Sequence, residues 1–162
     1  MRVLDHPNGF LKVVLAEYPD GAADRLHVWD KPHADSDIHQ HRADFTSTVV
    51  RGVLVEEIYE WEWDPDGDHD WMRVNCWTDD AGGYHVDVAQ TVRCRVWVAR
   101  TETHRAGETY KRDAHDLHKA IAVEVPLVTM PTFGPVYNQV HTMIRKRPAG
   151  PVPSVTTDQK AG

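Results

Sequence analysis

A chain of 162 residues with 41% hydrophobic and 27% charged side chains has the length of one compact domain and the composition of a globular protein rather than a disordered one. Its net charge of −7 argues against a surface that binds nucleic acid, and the one basic run, Arg145-Lys146-Arg147, is short and reads as a solvated end. No apolar run approaches the roughly 20 residues that span a bilayer, and MRVLDHPNGFLKVVLAEYPDG carries charges and a proline where a secretory signal needs apolar residues, so a cytoplasmic protein with no membrane partner is expected.

In chain order, apolar alternation marks strands over residues 11–16, 25–29, 45–50 and 53–63. It continues over 72–77, 84–88, 91–100, 108–111 and 119–125, with a last strand around 139–145. Pro65-Asp66-Gly67-Asp68 and Asp79-Asp80-Ala81-Gly82-Gly83 supply turn residues between them. Only the first 25 residues and the segment after Arg112 leave room for helix, in short pieces. Strands this dense predict an all-β fold, a two-sheet sandwich or jelly roll. One domain is expected over residues 1–147. The end, 148–162, is rich in Pro, Gly, Ser and Thr and is expected to be disordered. There is no internal repeat. Cys76 and Cys94 stand in strand-like runs outside any CxxC spacing, as buried thiols do.

His39-Gln40-His41 is the most informative triplet. Residues 37–63 are of strand-forming types, and alternate residues of a strand project to one side, so the two imidazoles can meet one metal ion. Further ligands must come from elsewhere in the chain. Gly107-Glu108-Thr109-Tyr110, leading through Lys111-Arg112-Asp113-Ala114-His115-Asp116-Leu117 to His118, offers one.

This order resembles the cupin family. Its first motif sets HxH before a glutamate and then a glycine, matched by His39, His41 and Gly52; its second runs from a glycine and a strand aromatic to one histidine, matched by Gly107, Tyr110 and His118. The likeness spans about residues 26–131. It implies a cupin-type jelly roll, a double-stranded β-helix, with a short N-terminal extension, a metal held by His39, His41 and His118, and pairing into homodimers. Where many cupins carry the glutamate ligand this chain has Phe45, which cannot bind metal. Asp44 sits one residue early, and one step along a strand turns a side chain to the opposite face. Asp44 therefore reads as a surface or supporting carboxylate, and His115 as a spare ligand or a loop histidine.

Three neutral imidazoles leave open positions on an octahedral ion for substrate and dioxygen, and an anionic substrate can supply the charge the protein does not. The stretch from His39 to Trp61, with Tyr59-Glu60-Trp61, is similar to thiol dioxygenases of that branch. The resemblance implies an Fe(II) dioxygenase of a small organic molecule, a thiol among the candidates, with Zn, Ni or Mn as other metals. Tyr110, His115 and Asp44 are candidates to orient ligands or move a proton. An isomerase or lyase using the ion as a Lewis acid, and a non-catalytic ligand-binding cupin, are the alternatives. For the substrate pocket, Tyr59 and Trp61 share a strand face opposite to Glu56, Ile58, Glu60 and Glu62. Arg93 and Arg95 alternate with apolar residues and would clamp a carboxylate if they pointed inward. His6, His27, His33, His69, His85, His104 and His141 have no motif context and read as structural or exposed.

Overall fold

The computed structural model describes residues 1–78, 83–137 and 140–148, all in strands and connecting segments. The tail expected to be disordered lies, from residue 149, outside the described residues, as does most of the 79–83 turn. Among the described residues, eleven strands form one antiparallel system: β1 (Arg2–His6), β2 (Phe10–Glu17), β3 (Ala23–Trp29), β4 (His33–Ala34), β5 (Ile38–His39), β6 (Phe45–Trp63), β7 (His69–Thr78), β8 (Tyr84–Arg105), β9 (Thr109–Arg112), β10 (Leu117–Phe133) and β11 (His141–Lys146). The first 25 residues, left open for helix, form two hairpin strands and the start of a third. Alternation in VLDH was too short to mark β1, yet it pairs with β2 along its whole length.

Strands β10, β5, β11, β7, β8 and β6 pair in that order, and β6 pairs back onto β10, so the ring closes and removes its own edges. This closed ring with long bent strands is the expected jelly roll. Runs separated in the sequence reading join into single strands: 45–50 with 53–63 in β6, and 84–88 with 91–100 in β8. Gly52 is the hinge of β6. Its φ is 83°, and a Cβ there would lie 2.3 Å from the Glu124 carbonyl oxygen and 2.9 Å from the Leu127 Cα. Only glycine lets the two backbones approach this closely. The register of β10 against β6 also shifts between Ala122 and Val128, so both strands bend together.

Beyond the bend, β6 and β10 continue into a second face, where β3, β2 and β1 extend β10 and β9 borders β6. The core at the bend is Trp29, Val49, Leu54, Ala122 and Leu127. Smaller clusters around Ile38, Leu117 and Ile144, and around Val74, Cys76 and Met143, fill the ring. Cys76 and Cys94 are buried free thiols, as expected. Among the described residues no helix is long and apolar enough to cross a membrane.

Candidate metal centre

The register places the three histidines. His118, near the start of β10, lies directly across from His39 in β5, and His39 is also opposite Met143 of β11. The continuous strand expected over 37–63 is interrupted at residues 40–44, so His41 stands just past the end of β5. Hydrogen bonds replace the sheet there. The Gln40 N–H donates to the Thr142 carbonyl at 2.9 Å, its side chain bridges the His115 carbonyl and the Thr142 N–H, and the His41 N–H donates to the Ala114 carbonyl at 3.2 Å. Gln40 is pinned outward, so His39 and His41 keep their common side.

Nitrogens of His39, His41 and His118 lie within 4.8 Å of one another. The His41 and His118 Nε2 atoms approach to 2.8 Å, and two adjacent ligands on an ion at about 2.0–2.1 Å would sit roughly 3 Å apart. The outer nitrogens are held too. His39 Nδ1 is 3.3 Å from the Asp37 carbonyl and 3.8 Å from the Asp35 carboxylate. His118 Nδ1 lies 2.7 Å from Glu56 Oε1, and since a carboxylate only accepts, His118 carries its proton on Nδ1 and turns the Nε2 lone pair inward. Burial, with the neighbouring imidazoles, keeps His39 below and His41 well below the usual imidazole range, which leaves both neutral and able to ligate. The donor set therefore fits a transition-metal ion.

Glu56 is the residue that the sequence reading missed. It is 1% exposed on β6 and accepts from His118, from Arg112 at 2.6 Å and from His104 at 3.1 Å. Burial opposes its ionisation, but the bonds from His104 and His118 and the charge of Arg112 outweigh it and hold the carboxyl far below its usual range. Its alternation with Leu54 and Ile58, both core residues, is the signal that could have found it. Glu56, Glu102 and His104 also converge as metal ligands would. Arg112 already occupies that position, 2.6 Å from Glu56 and 2.7 Å from Glu102, so the cluster is an internal ion network.

Phe45 presents its ring to the histidines, 4.9 Å from His41 and 6.3 Å from His118 between centroids. Tyr110 stacks on His104 at 4.0 Å, and burial and the Glu56 charge hold its phenol protonated. Asp44 does not reach the centre: its Oδ1 accepts from the Ala114 N–H and the Tyr137 hydroxyl and ties a surface loop. His115 is exposed and turned toward Tyr137. Asp44 stands in the break just before β6, free of the strand's alternation, which is why it pins a loop.

A cavity of about 430 Å³ opens onto the three histidines, with Phe45, Tyr110 and Phe133 in its wall. None of the four residues expected to line it does so. Tyr59 donates to Glu57 at 2.5 Å and packs beside Ile38 and Leu117, Trp61 stacks on Trp71 at 5.5 Å, and both border a separate surface depression. Arg93 and Arg95 are exposed and bond the Pro65 carbonyl and the Asp64 carboxylate. The apolar side of that strand, with Cys94, is the inner one, so its arginines must face out. The cavity instead takes its wall from β2 and β3, with Phe10, Lys12, Arg25, His27 and Trp29.

No protein-family model and no curated protein matches the chain. Among solved structures it is similar to KdgF from Halomonas sp., at 17% identity and a TM-score of 0.47, covering 82% of this chain and 87% of that one. It is also similar to an RmlC-like cupin from Shewanella frigidimarina, at 17% identity and a TM-score of 0.46, covering 84% and 85%. Likeness at that level carries no weight for activity.

Proposed function

We propose that this cupin-type barrel is a metal-dependent enzyme, an Fe(II) dioxygenase of a small organic substrate, with His39, His41 and His118 as the ligands. The observation that carries the reading is the convergence of three imidazole nitrogens with no carboxylate among them, 2.8 Å apart for His41 and His118, at the floor of a 430 Å³ cavity. Phe45 fills a ligand position with a hydrocarbon, and Glu56 is spent on His118 and Arg112.

When bound, Fe(II) would supply adjacent open positions and one-electron chemistry to substrate and dioxygen. The chain's own residues do the rest. Glu56 sets the tautomer of His118 and makes that imidazole a better donor. The Asp37 carbonyl orients His39. Phe45 and Phe133, 5.0 Å apart, keep water from one side of the centre. Tyr110 remains a neutral phenol in the wall, a donor at any working pH.

The test is metal analysis of anaerobically purified protein beside the His39→Ala, His41→Ala and His118→Ala variants, followed by oxygen uptake with thiols and small acids. About one iron per chain, lost in each variant, with substrate-dependent oxygen consumption, is the expected result. Tightly held zinc, nickel or manganese with no oxygen uptake would replace the oxygenase with a Lewis-acid isomerase or lyase. No metal after reconstitution would overturn both.

A further inference from the structure

The β2–β3 wall of the cavity carries a cluster of cations. Arg25, His27 and Trp29 alternate along β3, Phe10 and Lys12 along β2, and Lys12 pairs directly with His27, so all five side chains share the inward face. Arg42, next to the metal-facing His41, lines the same space. Neither Lys12, Arg25 nor Arg42 makes an ion pair among the described residues; the nearby Glu17 is taken by Arg2 at 3.1 Å. Arg25 Nε and His27 Nε2 are buried and lack a hydrogen-bond partner among the described residues, a costly state unless a ligand meets them. Burial and the charges of Arg25 and Arg2 outweigh the pull of Glu17 and lower the Lys12 pKa to about 8, as crowding among cations does. Contrast the other side of the cavity, where Arg145 holds Asp37 through two bonds of 2.8 and 2.6 Å.

The distance to the metal centre suits one small molecule. The Arg25 guanidinium lies 4.6 Å from the Phe133 ring, and that ring is 5.6 Å from the His41 ring, so a single phenyl group separates cation from ligand. We infer that Arg25 and Lys12, with Arg42 at the rim, form a carboxylate-binding subsite, and that the substrate is a small organic acid whose carboxylate sits there while its reacting end faces His39, His41 and His118. The planar guanidinium matches a carboxylate, and Phe10, Trp29 and Phe133 give the same cavity apolar wall for a carbon chain. This inference rests on the metal reading for the reacting end, but the subsite itself stands on β2 and β3 alone.

The experiment separates the two. Succinate, its neutral counterpart succinamide and inorganic phosphate are titrated by calorimetry into metal-free protein, wild type and Arg25→Met, Lys12→Met and Arg93→Met variants, with metal uptake measured in parallel. Succinate should bind wild type and Arg93→Met alike, weaken at least tenfold in Arg25→Met and Lys12→Met, and leave metal uptake unchanged. Succinamide should not bind. If succinate binds equally to wild type and both cavity variants, or no better than succinamide, the subsite is overturned whatever the metal does. Phosphate binding tenfold tighter than succinate would replace the carboxylate with a phosphoryl group. Failure of the metal reading shows instead as absent metal uptake with succinate binding retained. Should either variant not fold, tryptophan emission of wild type decides: Trp29 lines the subsite, and a saturable change with succinate but not succinamide is required.

Discussion

Replacing Glu56 by glutamine keeps the shape of the side chain and removes the charge on which three donors converge. The carboxylate accepts from Arg112 at 2.6 Å, His118 at 2.7 Å and His104 at 3.1 Å, at 1% exposure. An amide has one acceptor atom and turns an NH₂ toward the other donors, so at least one of these bonds becomes a donor facing a donor. Hydrogen bonds to a buried charge are worth about 1.5–3 kcal/mol each, and breaking a buried ion pair costs about 3–5 kcal/mol. Arg112 keeps Glu102 at 2.7 Å and Asp116 at 3.5 Å, which sets the cost at the lower end, about 3 kcal/mol. For a chain of this size that is a fall in Tm of roughly 6–12 °C. Loss of the His118 tautomer lock should also weaken metal binding by about 10–100-fold. Thermal unfolding of metal-free protein and a competition titration with a chelating dye measure the two effects separately. A Glu56→Gln protein with Tm within about 2 °C of wild type and unchanged metal affinity would refute the assignment of this network to both roles.

Gly52→Ala should be among the most damaging single-methyl changes in the chain, because the new Cβ meets backbone at 2.3 and 2.9 Å and the φ of 83° is costly for alanine; a loss of more than about 3 kcal/mol is expected, read as poor soluble yield or a collapsed denaturation midpoint. Succinate affinity should fall as pH rises through about 8, where Lys12 loses its proton, and Lys12→Met should remove that step. Lys12 is faced by Arg25 and His27 on β3, His6 and Arg2 on β1, Arg42 on the loop and Glu17 at the end of β2. The sign for stability is opposite. The unfolded lysine holds its proton to about 10.5, the folded one only to about 8, so this group makes the protein more stable as pH rises between those values. A denaturation midpoint that does not differ in pH slope between wild type and Lys12→Met over that window would count against the buried cation.

Local pattern carried much of this protein. Alternation marked ten strand segments, and the HxH spacing with a later histidine selected three residues that the fold brings within one ion's reach. Period-two patterning needs only neighbouring residues, so it is written in the chain itself. The same pattern does not say which face is inside. Arg93 and Arg95 alternate with apolar residues on β8 as Arg25 and His27 do on β3, yet the first pair is exposed and the second lines the cavity. Glu56 lies among Glu57, Glu60 and Glu62, and only the approach of His118, His104 and Arg112 from β10, β8 and β9 makes it the buried anchor. The sequence by itself determined most of the strand segments and the three imidazoles. Closure of β6 onto β10 decided what faces the cavity, because that depends on contacts between residues far apart in the chain, which no local period records.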